Sequence, residues 1–383
     1  MLRSVHLINF RGLKDIVIPL APMTLLTGSN GIGKTSVLEG LYCLLAQPVP
    51  NAAVFPRYQQ QIGFQSNMPV LNGIPNTPLS FFPAIGYDYY SFWKECLADR
   101  VSDCQVMAAW DIASLTWEMR ISDFSELDQE LKDTASAYGL QSGAGTPYVL
   151  WEWTCMRKPK DNSGHAKNQI GHKSKAVQQL GMEFRFSPRI GEITRTACRY
   201  VDMSSVRHVP GKISLQTEKL LTDALKIINP NVTGVRHDGM PGRIRVIIND
   251  ESEYSMGTLG VGAETWASML LVLSELAASD PKMGLPVMFL ADEIGAGIHY
   301  SKLEEMWAFL LDFLSRYPHV QMVMTTHSHD CINAFCNVFQ NESSDKAKIV
   351  RLHKSDAKGG IKPTEYSRDL FASILAGEWE VRG

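Results

Sequence analysis

The stretch Gly28-Ser29-Asn30-Gly31-Ile32-Gly33-Lys34-Thr35 fits the pattern G-x-x-x-x-G-K-[ST] at every position. Residues 23–27 before it form a short apolar run that predicts a buried strand. Residues 36–46 after it place apolar side chains on one face of a predicted helix. Free backbone N–H groups and the helix dipole make the start of a helix attractive to anions. The sequence therefore predicts a phosphate-binding loop, which a chance glycine-rich turn would not explain as well.

Two side chains of this loop are expected to act on a nucleotide. Lys34 would reach the β- and γ-phosphates of ATP and assist catalysis, and the Thr35 hydroxyl would ligate Mg²⁺. The loop residues predicted to bind ATP are Gly28, Ser29, Asn30, Gly31, Ile32, Gly33, Lys34, Thr35 and Ser36.

A second apolar run ends in two acids. Residues 287–291 are continuously apolar, as expected for a parallel strand covered on both faces, and Asp292 and Glu293 follow directly. Asp292 is predicted to hold Mg²⁺, directly or through water, and Glu293 to orient or deprotonate the attacking water. The alternative is that the two acids cap a helix.

Composition indicates a globular protein rather than a membrane or disulfide-rich one. The 383 residues are 45% hydrophobic and 20% charged, with a net charge of −3. No apolar run reaches the length of a membrane span and no secretory leader is evident, so we expect a cytoplasmic protein. The seven cysteines are scattered without a CxxC pair, which favours neither a zinc site nor a disulfide framework.

The charge is unevenly distributed. Residues 156–212 contain 12 lysines and arginines but only four acids. This segment is either a solvated loop or a surface that faces phosphates or an acidic partner.

The remaining pattern predicts a single domain over 1–383 with insertions. Residues 1–27 read as a β-hairpin, and 48–85 as a loop insertion because seven of the 19 prolines lie there. Residues 100–213 are expected to hold antiparallel strands, at 103–121 and 147–157, with a helix and a Gly/Ser loop within 122–145. A basic loop is expected over 157–181 and another short strand at 182–188. Helices are predicted at 215–228 and after 266, a strand at 244–248, and a buried strand at 320–327.

These motifs resemble the ABC-type ATPases of the RecF/SMC/OLD group. The resemblance rests on Ile8-Asn-Phe-Arg-Gly12 before the phosphate loop and on the order of motifs in 254–383. It implies an α/β, ABC-type P-loop ATPase fold with a mixed central sheet, an antiparallel β subdomain and helical and loop insertions. It also implies that Asn30 and Arg11 approach the nucleotide, although Arg11 could equally be a structural residue of the hairpin.

By the same resemblance, three further segments correspond to family motifs. The glycine-rich turn at 254–266 resembles the signature motif, whose Thr258, Gly260 and Gly262 would contact ATP across a dimer; helix capping is the alternative. Residues 294–303 resemble the D-loop, where His299 is expected to pack or cap and Ser301 with Glu304 to form a capping box. His327 resembles the catalytic switch histidine that senses the γ-phosphate. The family glutamine that ligates Mg²⁺ stays unassigned among Gln59, Gln60, Gln61 and Gln65.

Within the group, the closest resemblance is to stand-alone OLD-like ATPase subunits of anti-phage systems, such as those of PARIS, Septu and retron type. Sustained heptads are absent, and the 56 residues after His327 are few for a fused Toprim nuclease. The resemblance implies a homodimer around two ATP molecules, or a higher assembly of such dimers. It implies a separately encoded nuclease or toxin effector and a phage protein or DNA as the trigger, without a membrane partner. A RecF-like DNA-repair ATPase is the alternative, and a transporter subunit fits less well.

Overall fold

The computed structural model describes only part of the chain. The described residues are 1–46, 103–109, 113–123, 147–157, 169–179, 197–203, 213–237, 244–281, 285–340, 342, 346–355 and 360–366, with isolated positions in 125–133. The predicted insertion at 48–85 with its four glutamines, most of the helix expected within 122–145 and the strand expected at 182–188 lie outside these residues.

The strands, in chain order, are β1 (Ser4–Phe10), β2 (Leu13–Pro19), β3 (Met23–Thr27), β4 (Asp103–Ala109), β5 (Ala113–Asp123), β6 (Pro147–Arg157), β7 (Gln169–Gln179), β8 (Cys198–Asp202), β9 (Val232–His237), β10 (Ile244–Ile248), β11 (Ser252–Ser255), β12 (Val287–Asp292), β13 (Val320–Thr325), β14 (Ala347–Lys354) and β15 (Ile361–Tyr366). The helices are α1 (Lys34–Ala46), α2 (Leu215–Ile228), α3 (Val261–Ala277), α4 (Leu303–Arg316) and α5 (His329–Phe339).

The core sheet carries the motifs predicted from the sequence. In the described part of the chain its strand order is β15-β14-β3-β13-β12-β8. All neighbours pair in parallel except β15, which pairs antiparallel with β14. Every residue of β3, β12 and β13 is buried, as the continuous apolar runs predicted. The carboxyl ends of β3, β12 and β13 therefore bring the phosphate loop, Asp292 and the segment of His327 to one edge.

A second sheet is antiparallel and includes the N-terminal hairpin, in the order β2-β1-β4-β5-β6-β7. The region expected as one strand over 103–121 forms two strands, β4 and β5, which pair antiparallel. The prediction of a loop throughout 157–181 is wrong, since β7 pairs with β6 along its length. Among the described strands β7 is the last of this sheet, and it is held by its backbone pairing with β6, which a search for apolar alternation does not reveal.

A small third sheet precedes, in the chain, most of the motifs found in 254–383. Its order is β11-β10-β9, and α2 packs against β9. The helix begins after Ser214, whose hydroxyl accepts the N–H of Thr217, and ends at Asn229 before a proline, as predicted. One element lies elsewhere than predicted. The sequence grouped the residues of β8 with the antiparallel strands, but β8 lies in the core sheet beside β12.

Two apolar cores cover the opposite faces of the core sheet. The side chains of its strands alternate between the two cores. Those on one face, such as Phe289 and Met322, pack in a helical core with α2 to α5. Those on the other face, such as Leu290 and Val323, pack in a second core with α1 and the antiparallel sheet. This arrangement confirms the predicted fold class, a P-loop ATPase fold of the ABC type with an antiparallel β subdomain. Among the described residues, every helix is too short or too polar to span a lipid bilayer.

Candidate nucleotide-binding site

The phosphate loop depends on glycine at two positions where backbone or side chains of other elements approach closely. Gly28 has φ +133°, and a Cβ there would lie 2.4 Å from the carbonyl oxygen of Leu352 in β14. Gly33 has φ +100°, and its Cβ would lie 2.8 Å from Cδ2 of Leu13. Any other residue would have to displace these neighbours. The loop is therefore fixed between β14 and the N-terminal hairpin.

The rest of the loop presents its backbone outward. Ser29, Asn30 and Gly31 are exposed, whereas Ile32 is buried in the second core. The helix α1 begins at Lys34, so the free N–H groups of its first turn, including those of Thr35 and Ser36, face the loop. This is the strand, loop and helix geometry that binds phosphate in P-loop proteins.

Lys34 supplies a fixed positive charge inside the loop. It is only 6% exposed, and its Nζ donates to the carbonyl oxygens of Gly28 at 2.9 Å and Ser29 at 3.1 Å. Burial lowers the pKa of Lys34, while the nearby carboxylates of Glu293 and Asp292 act in the opposite direction. An incoming phosphate would therefore meet an ammonium group that is already aimed at the loop.

The two predicted metal ligands are in direct contact. The Thr35 hydroxyl donates to Oδ2 of Asp292 at 2.8 Å, across 257 residues of sequence. Hydroxyl and carboxylate oxygens are the hard donors that Mg²⁺ prefers, so this pair fits the ion that the sequence predicts. Tyr200 and Thr325 also donate to the Asp292 carboxylate, the first to Oδ2 at 3.1 Å and the second to Oδ1.

Glu293 is held beside the predicted switch histidine. Its backbone has φ +58°, and its N–H donates to the Thr325 hydroxyl at 3.0 Å. Its Oε2 lies 2.6 Å from Nδ1 of His327, two residues beyond the end of β13. Both side chains remain partly exposed, at 31% for Glu293 and 59% for His327. The pair can therefore reach a water molecule at the edge of the site.

Arg11 takes part in a buried ion pair. Its Nε lies 2.9 Å from Oε2 of Glu39, whose side chain is fully buried in α1. Arg11 has φ +52° in the turn between β1 and β2. This contact supports the structural alternative for Arg11, since an isolated carboxylate at the Glu39 position would be costly. A role of Arg11 at the nucleotide stays a prediction.

The predicted signature segment lies at the surface before α3. Thr258 and Gly260 are exposed; the Thr258 hydroxyl donates to the Ser255 carbonyl, and Gly260 has φ +92° at the helix N-cap. Gly262 packs against the predicted D-loop, where a Cβ would lie 2.2 Å from the Gly297 carbonyl oxygen. Val261 between them is 71% exposed. The glycines thus serve the backbone geometry, while the side chains of Thr258 and Val261 face outward.

The D-loop segment is capped differently from the prediction. His299 caps a 3₁₀ turn at Tyr300–Lys302, where its Nδ1 accepts the N–H of Ser301 at 3.4 Å, as expected for a capping residue. The capping box of Ser301 and Glu304 is wrong, because α4 begins only at Leu303 and has no side-chain cap. The short turn before the helix shifts its start beyond the reach of the Ser301 hydroxyl.

The structure thus brings together Lys34, Thr35, Asp292, Glu293 and His327, and keeps Thr258, Gly260 and Gly262 in a separate surface segment. Sequence reasoning missed two members of the site, Tyr200 and Thr325. Thr325 lies at the end of an apolar strand, before His327, and that position could have indicated it. Tyr200 has no such signal, because only the pairing of β8 with β12 places it near Asp292.

Comparison with known proteins supports part of this picture. Residues 1–69 match the family described as AAA ATPase domain. Over 66 residues the chain is 38% identical to the OLD nuclease of Thermus scotoductus; the match covers 17% of this chain and 12% of that protein.

Two solved SMC head domains match over nearly the whole chain at low identity. The head domain from Thermotoga maritima has 9% identity and a TM-score of 0.46, covering 96% of this chain and 99% of that one. A Pyrococcus furiosus head domain, solved with an extended coiled coil and the C-terminal domain of ScpA, has 10% identity and a TM-score of 0.49, covering 98% and 99%. The phosphate loop and the two N-terminal matches together support an ATPase whose N-terminal part is similar to that of an OLD nuclease.

Proposed function

We propose that this chain binds and hydrolyses ATP with Mg²⁺ at the site formed by the phosphate loop and the end of β12. The observation that carries the proposal is the 2.8 Å hydrogen bond between Thr35 and Asp292, with Glu293 next in the chain. It joins the end of the phosphate loop to the acids that the sequence predicts for the ion and for water activation.

The residues divide the chemistry among them. The N–H groups of the loop and the Lys34 ammonium would bind the phosphates, and Thr35 and Asp292 would hold Mg²⁺, which when bound neutralises phosphate charge. Glu293 would accept the proton of the attacking water as a general base. His327, hydrogen-bonded to Oε2 of Glu293, would fix the orientation of that carboxylate and lie near the γ-phosphate.

We further infer that two copies assemble around ATP. The signature segment packs against its own D-loop through Gly262 and Gly297, and it directs Thr258, Gly260 and Val261 to solvent. Such a segment is available to a phosphate loop of another copy. A homodimer is the smallest assembly that this proposal needs, and assemblies of several dimers are compatible with it.

The biological role that we propose is a sensor and scaffold in anti-phage defence, controlling a separately encoded nuclease or toxin. The N-terminal match to an OLD nuclease supports this proposal, as does the basic segment 156–212. In that segment Lys173 and Lys175 lie in β7, paired with Thr154 and Glu152 of β6. An excess of positive charge in this segment of the sequence suits an acidic protein trigger or DNA.

A trigger must prefer one nucleotide state of the ATPase, because equal affinity for both states changes nothing. We expect Lys173→Glu with Lys175→Glu to abolish triggering while basal ATP hydrolysis, measured as phosphate release with and without EDTA, stays within about twofold of wild type. The exchange of Lys219 and Lys226 in α2 for Glu is the matched control for charge. Phage challenge of cells that carry the native neighbouring genes measures triggering.

Three outcomes would contradict parts of this proposal. Phosphate release that is unchanged by EDTA would refute the Mg²⁺-dependent reaction. Full protection by the reversed variant would show that β7 is not the sensing edge. Stimulation of hydrolysis by plain duplex DNA, with an affinity that falls steeply with salt and with no protection of cells against phage, would favour a RecF-like DNA-repair ATPase instead.

A further inference from the structure

The carboxylate of Asp292 receives hydrogen bonds from three separate elements. Thr35 at the start of α1 and Tyr200 in β8 both donate to Oδ2, and Thr325 at the end of β13 donates to Oδ1. The sequence motifs account for Thr35 alone. The other two donors need an explanation, because each of these hydroxyls exchanges bonds to water for fixed bonds inside the protein.

Tyr200 reaches Asp292 through a fixed side chain. Tyr200 is only 6% exposed. Because β8 pairs in parallel with β12, Tyr200 lies opposite Leu290, which is two residues before Asp292. The ring packs edge-on against Tyr42, with 6.3 Å between centroids. Tyr42 follows Thr35 by two helical turns on the same face of α1. One face of α1 therefore supports both donors to Oδ2.

Thr325 connects the two acids. Its side chain is fully buried, and its hydroxyl donates to Oδ1 of Asp292 while it accepts the backbone N–H of Glu293. A hydroxyl has one hydrogen to donate and lone pairs to accept, so both bonds can exist together. The position of the Glu293 backbone and the orientation of the Asp292 carboxylate are thus set by the same atom.

We propose that Tyr200 and Thr325 are positioning residues for a divalent-cation site at Thr35 and Asp292, acting through the Asp292 carboxylate. The inference rests on the proposed Mg²⁺-dependent ATPase. Donors on both oxygens of a carboxylate fix its rotation, and partners of this kind commonly change metal affinity by about 10- to 100-fold when they are removed. Thr325 has the additional effect of fixing where the Glu293 side chain begins.

The test measures metal binding rather than turnover. The full chain is loaded with a non-hydrolysable ATP analogue and titrated with Mn²⁺, with free Mn²⁺ followed by electron paramagnetic resonance. We expect Tyr200→Phe and Thr325→Val to weaken Mn²⁺ binding about tenfold, and Thr325→Ser, which keeps the hydroxyl, to bind within about twofold of wild type. Tyr366→Phe is the matched control, since it removes a buried hydroxyl that bonds Arg351 at 3.4 Å, away from Asp292.

A second measurement separates positioning from general damage. Raising Mg²⁺ by about tenfold should restore ATP hydrolysis in Tyr200→Phe if the loss lies in metal affinity. Lost turnover at saturating Mg²⁺ with unchanged Mn²⁺ affinity would overturn the inference, as would equal Mn²⁺ binding by wild type, Tyr200→Phe and Thr325→Val. If Tyr200→Phe does not fold, a difference between Thr325→Val and Thr325→Ser still decides the question. A wild-type protein that binds no Mn²⁺ with the nucleotide would instead refute the proposed ATPase.

Discussion

The phosphate-loop region and the signature segment lie in one chain but are built in opposite ways. At the phosphate loop, Lys34, Thr35 and Asp292 are hydrogen-bonded within the protein, and Gly28 and Gly33 are packed against neighbouring elements. At the signature segment, Thr258, Gly260 and Val261 face solvent, and a Cβ at Gly260 would meet nothing within 4 Å. The difference fits the proposal that the first region binds the nucleotide within its own copy and that the second contacts the nucleotide of another copy.

The largest effect is expected from a variant that loses ATP hydrolysis at the phosphate-loop region but still binds ATP. Glu293→Gln removes the general base, which typically supplies about 100- to 10,000-fold, so we expect phosphate release to fall by that factor. ATP affinity, measured by equilibrium binding, should stay close to wild type, and light scattering with ATP should show a dimer. Wild-type hydrolysis in this variant would refute the assignment of Glu293, and a strictly monomeric mass would contradict the dimer.

A somewhat smaller effect is expected from the loss of the fixed cation. Lys34→Ala removes the ammonium group from the buried loop, which should weaken ATP binding by about 2–4 kcal/mol, or roughly 30- to 1,000-fold. Fluorescence of a labelled ATP analogue measures this affinity. Thermal unfolding without nucleotide is the control for folding. Unchanged affinity in a folded Lys34→Ala protein would mean that the phosphates bind elsewhere.

The smallest effect is expected in the signature segment, where a substitution should affect dimerisation but not ATP binding. Gly262→Ala places a Cβ 2.2 Å from the Gly297 carbonyl oxygen, so the helix start must shift. Overpacking of this kind costs about 1–3 kcal/mol of unfolding free energy. We expect weaker ATP-dependent dimerisation with ATP affinity unchanged. Gly257→Ala is the matched control, because a Cβ there would meet nothing within 4 Å; equal dimerisation by both variants would separate the signature segment from assembly.

The sequence predicted those elements whose signals lie within their own residues. The phosphate loop, the buried runs of β3, β12 and β13, and helix α2 each carry their own period or stop signal, and all of them formed. The edge strand β7 was missed because its stability comes from pairing with β6 rather than from apolar alternation. The bond from Tyr200 to Asp292 was missed because it spans 92 residues and depends on strand order. The role of Gly262 at ATP stays a prediction, and the structure adds a close approach to Gly297 that the sequence does not indicate.

At position 293 the residue that suits the backbone conformation differs from the residue that the proposed reaction needs. A non-glycine residue at φ +58° costs about 1–2 kcal/mol relative to an ordinary conformation, and glycine would avoid most of that cost. A chain with glycine at 293 would therefore fold at least as firmly as this one and have no carboxylate to activate water. Loss of activity at this position needs no loss of fold, so in the proposed dimer an inactive copy could still pair with an active one.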